Sequence, residues 1–273
     1  MSNKIIIGLS APKSTLAKRF LKSKLFTFRK YNYDINDYDK FSKWLDKNKK
    51  INCFVNFAAI TSVNKSNKFK SRVLKTNHKS VIKMMRIINN SNLVNFNYFL
   101  ALSSSHVFKK NKNKLYENSF KKPDNIYGLS KLLMEKDIEM YQSNFKFKIG
   151  IARIFNFYDK NSRKNFFIQD VKNKLKSKTN LIKFENINSS RDFIHPEDII
   201  EALFHMIKNQ LTFDFNVCSG QSFFLPDIIR YLNKYKKKIV FNGKKNENLI
   251  GSNLKLRKRG WFLKKKINYN IFN

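Results

Sequence analysis

Short apolar runs alternate with amphipathic stretches through the first half of the chain. Residues 4–7 (KIII) predict a buried strand, followed by a turn over 8–13. Leu16, Ala17, Phe20 and Leu21 then share one helical face. Residues 25–28 read as a second strand, and Phe41, Trp44 and Leu45 mark a second helix. Residues 53–59 (CFVNFAA) form a third predicted strand, before a helix face of Val81, Met84, Met85 and Ile88. A fourth strand is expected at 98–102. The stretch 131–141, with Leu132, Leu133, Ile138 and Met140, is helical, and 148–154 is a fifth strand. Strands alternating with helices predict an α/β fold with a doubly wound parallel sheet. Such sheets bind ligands at the carboxyl ends of their strands.

After residue 154 the rhythm changes. Lys/Asn-rich loops are expected at 159–165 and 172–180, with helices near 196–208 and 225–235. The predicted division is a large domain over 1–154, to which 189–210 return. A smaller α/β domain takes 155–188 and 211–273.

Composition narrows the class. The 273 residues are 42% hydrophobic and 15% aromatic, so the chain can bury a core. No apolar run of about 20 residues predicts a membrane span, and the N-terminus lacks the apolar region of a signal peptide. Cys53 and Cys218 make neither a metal motif nor a disulfide framework, so a reducing cytoplasm is expected and no metal. The net charge of +37 raises a nucleic-acid partner. The excess is mostly lysine and is spread along the whole chain. That favours compositional drift with nonspecific polyanion binding over a dedicated nucleic-acid surface.

Three segments carry candidate chemistry. Tyr127 and Lys131 lie four residues apart on one helix face, where an ammonium is expected to lower the phenol pKa and fit the tyrosine for proton transfer. Ser103, Ser104 and Ser105 follow the fourth strand, where a hydroxyl can meet a substrate oxygen or simply stabilise a turn. Gly8, Ala11 and Ser14 occupy a strand–turn–helix at phosphate-loop spacing, although only the first is glycine.

In this order the segments resemble the extended short-chain dehydrogenase/reductase group, the NAD-dependent epimerase/dehydratase family that modifies nucleotide sugars. VNFAAITSV (55–63) resembles the strand whose Ala58 and Ala59 would face the cofactor, and Asn77 matches an asparagine on the next helix. LSSSHVF (102–108) points to Ser104 as the catalytic hydroxyl, and NIYGLSKLLMEK (125–136) to the Tyr127/Lys131 helix. ARIFNFY (152–158) implies Asn156 near substrate, and SSRDFIHPEDII (189–200) implies that Arg191 contacts the nucleotide diphosphate. NVCSG (216–220) and LKLRKRGWF (254–262) are similar to the last landmarks. The resemblance implies a Rossmann-type domain with a small C-terminal substrate-binding domain. It implies Tyr127 as acid/base, Lys131 on the nicotinamide ribose, and hydride transfer at a sugar carbon, often C4. It also implies a homodimer through helices near 66–91 and 127–142.

Departures from the pattern shape the expectation. The loop Gly8–Ala11–Ser14 is glycine-poor, which opens a second reading: a relative that has lost catalysis and senses a cofactor or binds RNA. Arg29 and Lys30 stand where an acidic residue would select NAD, so NADP is preferred over NAD, though the general lysine excess also accounts for them. Asp34 and Ile35 resemble the pair that brackets the adenine. Ser105 and His106 replace the Asp-Glu pair of the dehydratases, leaving a 4-keto-sugar reductase first and a C4 epimerase second. His106 and His195 are expected as turn and structural residues.

Overall fold

A computed structural model describes residues 4–61, 68–159, 167–243 and 248–272. The chain divides into two compact units. The first takes Met1–Lys109, Phe120–Ile154 and Ile200–Phe215; the second takes Lys110–Ser119, Phe155–Ile199 and Asn216–Asn273.

The larger sheet is built from β1 (Ile6–Ser10), β2 (Thr27–Tyr31), β3 (Cys53–Asn56), β4 (Tyr98–Ser104), β5 (Lys148–Ile154) and β8 (Phe213–Val217). Its order is β2-β1-β3-β4-β5-β8, and the pairs from β2 through β5 are parallel. The order reverses between β1 and β3, so a crevice opens at their carboxyl ends. β4 is buried along its whole length, as expected of a central strand covered on both faces.

Helices α1 (Thr15–Phe20), α2 (Tyr38–Asp46), α3 (Lys70–Leu74), α4 (Ser80–Asn89) and α5 (Ile126–Tyr141) connect these strands. A π-helical turn, Lys75–Lys79, joins α3 to α4. Phe41 and Leu45 of α2, Met84 and Met85 of α4, and Met134 and Ile138 of α5 bury against Phe54 and Phe99 in one core. A separate aromatic group stacks Phe20 and Phe26 on Phe204, with centroids 4.4 and 4.7 Å apart. Each such phenylalanine contributes about 3–5 kcal/mol relative to alanine.

The second unit carries α6 (Phe167–Leu175), β6 (Leu181–Glu185), β7 (Ser190–Arg191), β9 (Phe223–Phe224), α8 (Leu225–Leu232), β10 (Lys238–Asn242) and α9 (Leu254–Arg257). β10 pairs with β6 in parallel, and β7 with β9 antiparallel. Helix α7 (Pro196–Lys208) starts on a proline with Glu197 and Asp198 in its first turn, a favourable N-terminus for the helix dipole.

Several sequence expectations shift. β1 runs through Ser10, so Gly8 lies inside the strand and not in the turn. A β-carbon there would meet Phe54 Cδ2 at 2.8 Å and Trp44 Cη2 at 3.0 Å, so glycine serves close packing. β2 spans 27–31, later than the 25–28 read from hydrophobicity. The expected loop at 172–180 begins inside α6, whose Ile168, Val171 and Leu175 bury a stripe interrupted by Lys172 and Lys174. Residues 160–165 of the other expected loop lie outside the described residues, as do Ser62, Val63 and the start of the 66–91 stretch. The domain boundary also moves. Residues 189–199 belong to the second unit because β7 pairs with β9, and 211–215 belong to the first because β8 completes the large sheet.

Candidate active site

The crevice between β1 and β3 is laced by one hydroxyl. Ser10 Oγ donates to Asn56 Oδ1 (2.6 Å) and accepts the Ala58 N–H (3.1 Å), joining the two strand ends. Ala11 follows at φ 46°, a left-handed conformation that costs an L-residue about 1–2 kcal/mol. The Ser14 N–H closes the turn on the Ala11 carbonyl (2.9 Å). Ser14 then stands at the N-cap of α1 without a side-chain cap bond. Its Oγ is buried and without a hydrogen-bond partner among the described residues. A buried hydroxyl in that state costs about 1–3 kcal/mol unless a ligand satisfies it. Ala11, Ala58 and Ala59 at the two strand ends are half-buried and small. This turn therefore fits a nicotinamide dinucleotide, whose phosphates would meet Ser14.

Other expected cofactor residues divide between surface and support. Arg29 is exposed within β2, opposite Gly8 in register, and not at the strand's end. Asp34 is exposed and accepts the Asn36 N–H (2.9 Å), while Ile35 is buried in the core. Asn77 is wholly buried in the π turn. Its amide grips both backbone groups of Ile60 (2.8 and 3.0 Å) and reaches Ser130 Oγ (3.1 Å). It acts as a brace holding the Ala58–Ala59 loop to α5.

The catalytic candidates meet at the end of β4. Three consecutive residues of that strand each hold one residue from successive turns of α5. The Leu102 carbonyl accepts from Lys131 Nζ (2.7 Å), Ser103 Oγ donates to Glu135 Oε1 (2.5 Å), and the Ser104 hydroxyl, which accepts the His106 N–H (3.3 Å), faces the Tyr127 phenol. Local sequence sets this arrangement. Asn125 caps α5 by accepting the Gly128 N–H (2.9 Å). Gly128 lets the helix approach, since a β-carbon there would lie 2.3 Å from the His106 carbonyl oxygen. His106 follows Ser104 in a 3-10 turn. Its ring stands edge-on to Tyr127 at 5.7 Å, and its Nδ1 lies 3.3 Å from the Asn125 amide. His106 is thus a first neighbour of the phenol as well as a turn residue, and its place two residues after Ser104 was the available signal.

Electrostatics correct one expectation. Burial raises the Tyr127 phenol above its ordinary value, and only the Ser104 hydrogen bond opposes that. Lys131 does not lower it, because its ammonium is turned onto Leu102. Burial pulls Lys131 down to about 8, while Glu135 acts the other way. Sequence reading passed over Glu135 entirely. Spacing could have shown it, since Tyr127, Lys131 and Glu135 recur every four residues on one helix face.

In the second unit, Asn156 Nδ2 donates to the Asp192 carbonyl (3.1 Å), and the Asn156 carbonyl accepts the Ile194 N–H (2.9 Å). Half-buried Arg191 folds back on Ser189 Oγ and the Ser190 carbonyl, both at 2.9 Å. Asp192, unremarked in the sequence, is fully buried. It accepts from Ser219 N–H and Oγ, the Gly220 N–H and the Gly251 N–H, pinning the NVCSG loop. Burial pushes its carboxyl up to about 6 against those donors. Among the described residues no cluster of His, Cys, Asp or Glu could hold a metal ion, and no helix is long and apolar enough to cross a membrane.

The sequence matches the NAD dependent epimerase/dehydratase family over residues 6–218. The chain belongs to that family. Epimerase-family relatives agree. An uncharacterized UDP-glucose epimerase of Bacillus subtilis is 31% identical over 106 residues, 38% of this chain and 33% of the relative. The GDP-6-deoxy-D-mannose reductase of Pseudomonas aeruginosa is 26% identical over 143 residues, 49% and 47% of the two chains. The chain thus matches a third to a half of the length of these curated relatives. Among solved structures, RMD from Pseudomonas aeruginosa complexed with NADPH superposes with TM-score 0.84 at 19% identity, covering 98% of this chain and 96% of that one. The Thermus thermophilus UDP-glucose 4-epimerase complexed with NAD gives 0.82 at 14% identity, covering 98% and 97%. These establish an epimerase-family fold with the Rossmann-type sheet.

Proposed function

We propose that this chain is an NAD(P)-dependent nucleotide-sugar oxidoreductase or epimerase that moves hydride at a sugar carbon, C4 first. The observation that carries the reading is the set at the end of β4: the Ser104 hydroxyl beside the Tyr127 phenol, with Lys131 one helical turn away and anchored to Leu102. The nicotinamide cofactor, when bound, supplies or accepts the hydride. Ser104 would hold the sugar oxygen, and Tyr127 would give a proton to that oxygen or take it back. Lys131, an ammonium with three donors, spends one on Leu102 and would offer others to the nicotinamide ribose. Ala11, Ser14, Ala58 and Ala59 would line the dinucleotide site, with Asp34 and Ile35 beside the adenine. Asn156 and Arg191 would serve the nucleotide sugar.

A 4-keto-sugar reductase is preferred over a C4 epimerase. The relatives named GDP-6-deoxy-D-mannose reductase and GDP-6-deoxy-D-talose 4-dehydrogenase support it, and a UDP-glucose epimerase supports the alternative. NADP is favoured by the exposed basic pair Arg29 and Lys30 of β2, of which Lys30 lies nearer the strand's end. Homodimerisation through α3–α4 and α5 is supported by exposed Phe69 and Met140 at their ends.

The test has two steps. Purified nucleotide-free protein is titrated with NADPH and NADH by nicotinamide fluorescence, then assayed with nucleotide keto-sugars. Saturable micromolar binding is expected, with turnover falling about 10²–10⁴-fold in Tyr127→Phe at unchanged cofactor affinity. Normal turnover in Tyr127→Phe refutes the assigned acid/base. Absence of binding to either coenzyme refutes the enzyme reading and leaves a binding protein on the same fold.

A further inference from the structure

Behind Lys131 lies a buried ionic cluster for which the proposed chemistry has no use. Glu135 is 5% exposed and Arg153 is 2% exposed. Arg153 Nε donates to Glu135 Oε1 (2.9 Å) and its NH2 nitrogen to Oε2 (2.8 Å), a two-pronged pair. Ser103, which pairs with Arg153 in register across β4 and β5, adds its hydroxyl to the same carboxylate. The remaining prong of Arg153 meets Asp214 of β8 at 2.5 Å. Burying two charges costs several kcal/mol each before their attraction is counted, so stability alone is a weak reason for this pair. Its position is the stronger reason, because Glu135 sits one turn beyond Lys131 on the same face of α5.

We infer that Glu135, held by Arg153 and Ser103, is a positioning residue that keeps the Lys131 ammonium charged and fixes the register of α5 on β4. The inference rests on the proposed function only for the use made of Lys131; the charge coupling itself needs no cofactor.

The charged groups nearby form a chain behind Glu135. Tyr127 and Glu135 share the helix of Lys131, Arg153 of β5 pairs with Glu135, Asp214 of β8 pairs with Arg153, and Lys121, in the segment before α5, feels all three. His78 of the π turn is engaged with Asp137 at 2.7 Å. Lys121 is itself held below its ordinary value, first by burial and then by Arg153, with Glu135 and Asp214 opposing. Around Lys131, burial opposes the charge and Glu135 is the carboxylate that favours it. Removing that negative charge while leaving Arg153 in place tips the balance toward the neutral amine.

The experiment is an NMR pH titration of the Lys131 side chain in lysine-labelled, cofactor-free protein, assigned with Lys131→Met. Wild type is expected to titrate near pH 8. Glu135→Gln should lower the midpoint from the wild-type value, and Glu135→Asp, which restores the charge, should return it toward wild type. Because Glu135→Gln strands a buried guanidinium and can unfold the chain, Glu135→Met/Arg153→Met is titrated beside it. This double variant removes the Glu135–Arg153 pair together, leaving only the part-exposed Asp214 without its partner, and should also lower the midpoint. A midpoint unmoved in a folded variant lacking Glu135 overturns the inference. Failure of wild type to bind NADPH or NADH refutes the proposed function and leaves this titration standing, so the two failures are distinct.

Discussion

Lys131 carries an ammonium into a site where 2% of the side chain meets solvent. Its folded-state pKa, about 8, lies below the ordinary 10.5. Below pH 8 folded and unfolded chains both hold the proton, so the burial penalty is fully present. Between pH 8 and 10.5 the folded chain sheds its proton while the unfolded chain keeps it, and the penalty is relieved as pH rises. The gap corresponds to about 3 kcal/mol at neutral pH. Lys131→Met should therefore be more stable than wild type at pH 7 by up to about 3 kcal/mol while losing turnover, and the difference should shrink toward pH 10. Denaturant melts at both pH values check this; an equal difference at both would mean Lys131 is not depressed. Stability given up at one residue is what a functional cation at this place implies. The residue was legible in sequence, but its electrostatic setting was not. Tyr127–Lys131 spacing suggested a direct effect on the phenol, whereas the depth of the site and the turn of Nζ onto Leu102 become visible only once β4 and α5 are packed together.

At the scale of elements, the first turn of α5 is the most sensitive join. Gly128 touches the His106 carbonyl and Pro123, where an added methyl would lie 2.3 and 2.9 Å away. Gly8 inside β1 is equally crowded, but by the Phe54 and Trp44 rings of the core. Gly128→Ala and Gly8→Ala should each cost about 1–3 kcal/mol through overpacking. Only Gly128→Ala should also depress turnover relative to cofactor affinity, since it pushes Tyr127 away from Ser104 and His106. Thermal melts and steady-state kinetics of both variants decide it, and equal turnover loss in the two would show that α5 placement is not special. Strands β3 and β4 were legible because each opens on a continuous apolar run, and β5 because only Lys148 and Arg153 interrupt its small and apolar residues. The limits of β1 and β2 were misread because Gly8 and the charged Arg29–Lys30 pair look like turn residues while sitting in a ladder. Helix α6 was missed because lysines between its buried residues mask the period.

Across the whole molecule, +37 of net charge coexists with specific acid–base pairing at the interior positions that matter. Lysines cover the exposed faces of helices in both units, so the field is diffuse. RNA bound at about 50 mM salt should be released by about 200 mM, as counterion release requires for contacts made by charge alone. Filter binding across that range tests it, and retention at the higher salt would signal a dedicated RNA site. The order of segments was legible through β5 and again at α7 and α8, whereas α6 and the strands after residue 154 were not. The sharing of segments between units was not, since it depends on which edge each late strand joins.

That sharing has a consequence for biosynthesis. β5 is made early, yet its outer neighbour β8 begins only at Phe213. At ribosomal speeds of about 5–20 residues per second, the nascent sheet spends several seconds with an unpaired apolar margin. Neither unit can be released by a single cut, because the chain passes between them repeatedly. A nascent chain stalled or truncated before residue 213 would present that bare margin to other chains, so such fragments are the natural clients of chaperones.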